Sequence, residues 1–142
     1  MGKCACLKKY QDEFYFGFRV IVGLLLFLHG AQKFGIMGEG SIAGFAAAMS
    51  LPVWIAYLVA GVELLGGAGI LTGFFTRLSA FGGAVVMIGA VVLAHIPKSI
   101  PELIGQGSAE LALLYLAAFL ILMQSGARKW SLEKELLKKE TF

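Results

Sequence analysis

Four stretches of this chain are apolar over lengths that match a lipid bilayer, and no other property limits its fold as strongly. They cover about residues 14–34, 53–73, 78–96 and 108–124. Each is close to the ~17–25 helical residues that cross a hydrocarbon core of ~30 Å. The runs are continuous rather than alternating, which favours helices over barrel strands. Composition argues against a water-soluble core. Apolar residues make up 58% of the 142 and charged residues 15%, against ~45–50% and ~25% in soluble chains. A protein of this size has too little interior to hide so much apolar surface. The 19 glycines suit a membrane bundle, where small residues let helix backbones come close.

The expected fold is all-α, a single domain over residues 1–142. It is a four-transmembrane-helix bundle with both termini cytoplasmic and a tail over 125–142. Lysine and arginine set this orientation. Lys3, Lys8, Lys9, Arg77, Arg128, Lys129, Lys134, Lys138 and Lys139 fall on one side, and only Lys33 and Lys98 on the other. The richer side is cytoplasmic, and the location expected is the plasma membrane. No cleavable signal peptide is expected, because the first apolar run is long enough to span and no A-x-A-like site follows.

Two further helices are expected outside the spans. Ser41 can cap a short one at the outer surface, with Ile42, Phe45, Ala46 and Met49 on one face, and Pro52 ends it before the second span. The tail sequence WSLEKELLKKE reads as an amphipathic interfacial helix, with Trp130 at headgroup depth and Leu132 and Leu136 toward lipid. The connection over 97–107, rich in Pro and Gly, reads as irregular.

The residues that point to function are the polar ones inside the spans, where a charge at mid-bilayer costs at least ~2.5–3.5 kcal/mol. At ~1.5 Å per residue, Arg19 lies roughly 8 Å in from the cytoplasmic side, and His29 roughly 15 Å beyond it. Lys33 shares a helix face with His29, and Gln32 flanks them. Glu63 falls near the midplane of the second span, His95 near the outer end of the third, and Glu110 in the first turns of the fourth. Thus His29, Gln32, Lys33, His95 and Glu110 gather in the outer half, with Glu63 beneath. Arg19 approaches Glu63 from the cytoplasmic side.

Each of these has a plainer reading. Arg19 and Glu63 can form a structural ion pair that fixes helix register. Lys33 and His95 can sit among headgroups. Glu110 suits a helix N-terminus through the dipole alone. His29 is deeper, and it exchanges protons near neutral pH. A zinc site from His29, His95 and Glu110 lacks the usual His-x-x-x-His or Glu-x-x-His pairing, so no metal is expected. Cys4-x-Cys6 is too short for a redox or zinc motif and reads as two reduced tail thiols. The chain carries no haem ligation pattern, flavin fingerprint or iron–sulfur cysteines, and no nucleic-acid motif.

Taken together, several stretches resemble the DoxX family of small four-helix membrane proteins. These are Arg19-x-x-x-Gly23, FLHGAQKFG at 27–35, Gly44-Phe45, Leu51-Pro52, ELLGG at 63–67 and LTGFFTR at 71–77. The likeness weakens through Met87, His95 and Gly107-x-x-Glu110-Leu111. It covers roughly residues 14–126 and leaves out the tails and the cysteines. The resemblance implies a membrane subunit in redox systems. The family's name comes from a subunit linked to a terminal quinol oxidase of a thermophilic archaeon. Relatives are associated with thiosulfate:quinone oxidoreductase or act as membrane anchors of oxidative-stress complexes.

The leading expectation is a quinone-linked redox subunit. His29 and Glu63 would exchange protons with quinone oxygens. Arg19, Gln32, Lys33, His95 and Glu110 would line the ligand site. Lys33 and Arg19 would stabilise negative charge, or an anionic substrate such as thiosulfate. Electrons would come from a redox partner subunit or directly from the substrate. Two alternatives stand beside it. One is a non-catalytic membrane scaffold or anchor for a redox partner, its bundle held by Arg19 and Glu63. The other is a small-molecule or lipid carrier, with homo-oligomers formed through the glycine-rich second and third spans.

Overall fold

The computed structural model describes residues 9–94 and 109–137. His95, Lys98, the 97–107 connection, Cys4 and Cys6 lie outside them. Regular structure among the described residues is entirely helical: α1 (Gln11–Lys33), α2 (Ile42–Ala48), α3 (Val53–Thr72), α4 (Thr76–Ala94), α5 (Glu110–Ser125) and α6 (Leu132–Leu137). Three of these, α1, α3 and α4, are long and apolar enough to cross a membrane. The fourth apolar helix, α5, has 16 residues, roughly 24 Å at 1.5 Å per residue.

Helix α1 starts three residues before the expected boundary, at Gln11, with Asp12 and Glu13 in its first turn, where the helix dipole favours acids. Asp12 also meets the C-terminal segment, 3.0 Å from Lys129 and 3.8 Å from Arg128. The hydrogen bond to Asp12, together with its charge, holds the Lys129 ammonium above its ordinary pKa. Both described ends of the chain therefore sit at the same end of the bundle.

Helices α1 and α3 run antiparallel and touch through glycine. A β carbon on Gly23 would lie 2.5 Å from the Leu71 backbone nitrogen, one on Gly67 2.6 Å from Phe27 Cα, and one on Gly30 2.7 Å from Leu64 Cα. The two backbones face each other in one register, with 23 against 71, 27 against 67 and 30 against 64. Only hydrogen side chains allow that spacing. Helices α4 and α5 pack through Gly83, whose absent side chain admits the ring of Phe119. A shared core of Val22, Leu26, Ile70, Ala84, Met87 and Phe119 joins the four helices.

The short helix is where the sequence places it. The Ser41 hydroxyl accepts from the Gly44 N–H at 3.0 Å and caps α2. Ile42 and Ala46 are buried against Ala56 and Ala60 of α3, with Phe45 beside them. Pro52 caps α3. The C-terminal helix meets only half its expectation. Trp130, Leu132 and Leu136 are exposed, but Glu133 on the other face is 1% exposed. Its carboxylate accepts from the Phe75 N–H at 3.1 Å, ahead of α4. The tail is thus bonded onto the α3–α4 turn as well as exposing an apolar face.

Candidate functional site

One groove, of about 730 Å³, opens among α1–α5 toward the Lys33 end of α1. Its walls are almost wholly aliphatic and aromatic, from residues such as Leu26, Leu58, Val62, Phe81, Val85 and Leu93. Against them stand four polar side chains: His29, Lys33, Glu63 and Tyr115. That volume lies within the ~300–1,000 Å³ of typical ligand sites, and a mostly apolar lining with a few polar groups is their usual composition.

The Lys33 ammonium bonds both carboxylate oxygens of Glu63. Lys33 closes α1, and its long stem carries the charge from the helix end down to a carboxyl group on α3, which is itself 3% exposed. The Phe45 ring of α2 lies 4.3 Å from the ammonium, in cation–π contact. The short helix therefore lies over the ion pair. His29 sits one turn before Lys33, with its ring edge-on to Tyr115, centroids 6.0 Å apart at 88°. Tyr115 in turn stacks on Phe119 at 5.7 Å and lies within electrostatic reach of Glu63.

Of the expected site residues, the structure brings His29, Lys33 and Glu63 to one groove and leaves others apart. Gln32 is exposed and does not line it. Glu110 is exposed in the first turn of α5, one residue before the groove residue Leu111. His95 is outside the described residues. No group of three or more metal-ligating side chains occurs among the described residues.

Arg19 does not meet Glu63. In the antiparallel register of α1 and α3 it faces the end of α3. Gly73 there is so close to its guanidinium that a β carbon would lie 2.6 Å away. Glu63 is ten residues back along α3, roughly 15 Å. The Arg19 guanidinium, 1% exposed, donates instead to the Ala127 carbonyl at 2.6 Å and the Trp130 carbonyl at 2.7 Å. Tyr15 adds a hydrogen bond to the Gly126 carbonyl at 2.6 Å. Gly73 takes φ 74°, a left-handed conformation that ends α3 and favours glycine. Its missing side chain also leaves room for Ser131. This is a structural clamp on the C-terminal segment, at the opposite end from the groove.

Tyr115 carries no charge and stands in an apolar run, so its sequence signal is that of a core aromatic. A second groove, of about 740 Å³, runs between α3 and α4 along Gly61, Gly69 and Gly82. Its polar groups are few. The Thr72 hydroxyl returns to the Ala68 carbonyl of its own helix at 2.8 Å, so this groove offers little to orient a ligand.

The family model described as DoxX matches residues 14–96. A Bacillus subtilis protein named "Putative oxidoreductase CatD" is 34% identical, over 81% of each chain. An uncharacterized protein of Haemophilus influenzae is 34% identical over 94% of this chain and 98% of its own. An uncharacterized membrane protein of Mycobacterium tuberculosis is 32% identical over 87% of this chain and 81% of its own. No solved structure matches.

Proposed function

This chain belongs to the DoxX family, and on that premise we propose that it is the membrane subunit of a quinone-linked redox system. The observation that carries the proposal is the groove. It joins a long apolar wall to one polar end containing His29 and the Lys33–Glu63 pair. An amphipathic ring with an isoprenoid tail fits that division, with the tail along Leu58, Val62 and Phe81 and the head toward His29. The relative named as an oxidoreductase points to the same class of chemistry.

A quinone supplies a two-electron, two-proton acceptor. His29 would hold or hand over a proton at an imidazole nitrogen facing the head. Glu63, fixed by Lys33, would set the polarity of the head end and take part in proton exchange there. The apolar walls would exclude water. The electrons would come from a donor partner at the membrane.

The orientation belongs to this reading. With the basic residues at the termini end in the cytoplasm, Lys33, His29 and the groove lie in the outer half of the plasma membrane. Arg19 is left out of the site, since its donors hold backbone carbonyls.

Binding of decylubiquinone to purified protein in lipid nanodiscs is the direct test, followed by quinol formation in membranes that contain the chain. Saturable binding weakened by His29→Ala and Glu63→Gln, with quinol formation lost in both variants, supports the proposal. Wild-type protein that binds no quinone rules it out.

A further inference from the structure

The polar groups of the groove divide into those already engaged and those that are not. Lys33 and Glu63 are engaged with each other through both carboxylate oxygens, and the Phe45 ring covers the ammonium. The buried cation Arg19 is at the far end of the bundle. Tyr115 and His29 differ. They touch each other edge to face, and neither side chain has a hydrogen-bond partner among the described residues. Tyr115 is 7% exposed and lines the groove. A phenol offers one donor and an acceptor, and an uncharged imidazole one of each.

This arrangement selects by charge. An oxyanion entering an apolar groove gives up its hydration and needs an uncompensated cation in return. Lys33 has none to give. Drawing it away would leave the Glu63 carboxylate buried and unpaired, a heavily penalised state. A neutral oxygen needs only a hydrogen bond, and Tyr115 has one to donate. We infer that the groove takes an uncharged amphipathic ligand whose carbonyl or hydroxyl oxygen is held by the Tyr115 hydroxyl beside His29, and that small inorganic oxyanions do not bind there. The inference rests on the reading of the groove as the ligand site and makes Tyr115 a ligand contact within it.

The test uses full-length protein in lipid nanodiscs with three probes: decylubiquinone, the redox-inactive 4-dodecylphenol, and thiosulfate. Tyr115→Phe keeps the ring on His29 and Phe119 and removes only the hydroxyl. Tyr57→Phe, outside this groove, is the control, and thermal unfolding of both variants establishes that each is folded. The expected result is that wild-type protein binds a neutral probe and that Tyr115→Phe weakens binding about 3–10-fold, the range of one hydrogen bond. Tyr57→Phe leaves it unchanged, and millimolar thiosulfate does not compete. Equal binding of both neutral probes by Tyr115→Phe and wild type overturns the inference and leaves the quinone proposal standing. Tyr115-dependent binding of dodecylphenol without decylubiquinone keeps the inference and removes the quinone proposal. Thiosulfate that displaces a neutral probe from wild-type protein, but not from Lys33→Gln, also overturns the inference. Failure to bind either neutral probe overturns both.

Discussion

Lys33, the last residue of α1, closes an ion pair with Glu63 of α3 inside an apolar groove, and Phe45 of α2 lies over it. Three elements thus depend on one contact. Breaking such a pair from one side leaves an uncompensated charge and costs about 3–5 kcal/mol, whereas replacing both partners by apolar residues is often neutral. Lys33→Met alone and Glu63→Leu alone should each lower the thermal unfolding temperature sharply, and the double variant should recover most of the loss. Additive losses in a double-mutant cycle would show that the two side chains do not act as a pair.

The Arg19 clamp predicts a different outcome at the opposite end. A lysine there carries the charge but lacks the planar fork that reaches both the Ala127 and Trp130 carbonyls. In Arg19→Lys the segment should loosen, and limited trypsin digestion should cut after Arg128 and Lys129 at least about tenfold faster, the change that a loss of ~1.4 kcal/mol gives. An unchanged cleavage rate would mean that Arg19 does not hold the tail.

Glycines of α1 and α3 should respond to substitution according to what lies opposite them. At Gly67 a β carbon would meet the Phe27 backbone, which cannot move aside alone. Gly67→Ala should therefore force the helices apart, at ~1–3 kcal/mol for an overpacked site. Gly17, also in a helix, has nothing within 4 Å of a β carbon. Gly17→Ala should be neutral or stabilising by up to ~1 kcal/mol. Unfolding midpoints in the same detergent measure both, and equal effects at the two positions would contradict the register described above.

Topology can be tested without assuming which compartment is which. The contact of Asp12 with Lys129 requires reporter tags fused to the two ends to lie on one side of the membrane. The proposed orientation adds that Cys4 and Cys6 stay unmodified by a membrane-impermeant maleimide in intact cells and react after permeabilisation. Labelling in intact cells would reverse the orientation.

Much of the bundle could be read from the chain, because lipid asks a simple question of each segment. Apolar length placed α1, α3 and α4, and the Ser41 cap and Pro52 bracketed α2. The site was legible only in part. Depth estimates assign a height to each polar residue but neither a helix face nor a partner. By height alone, Arg19 reaches toward Glu63. The side-by-side register of α1 and α3, set by Gly23, Gly30 and Gly67, instead puts Arg19 opposite Gly73 and Lys33 within reach of Glu63. Lys33 was legible as a site residue, yet it could equally be read among headgroups because its Cα is at a helix end, while its long stem reaches Glu63. The acceptors of Arg19 are backbone carbonyls, which every residue possesses and no pattern marks. Tyr115 was hidden for the opposite reason, since an aromatic ring amid leucines announces packing rather than chemistry.

The bonds from Arg19 to Ala127 and Trp130 span 108 and 111 residues of sequence. Translation proceeds from one end, so this arginine enters the bilayer with the first helix, long before its acceptors exist. Until residues 127–130 are made it is a charge without these acceptors. The surroundings of the first helix are therefore complete only once residues 127–130 have been made. A chain cut short before residue 127 leaves the Arg19 guanidinium in the first helix without these acceptors.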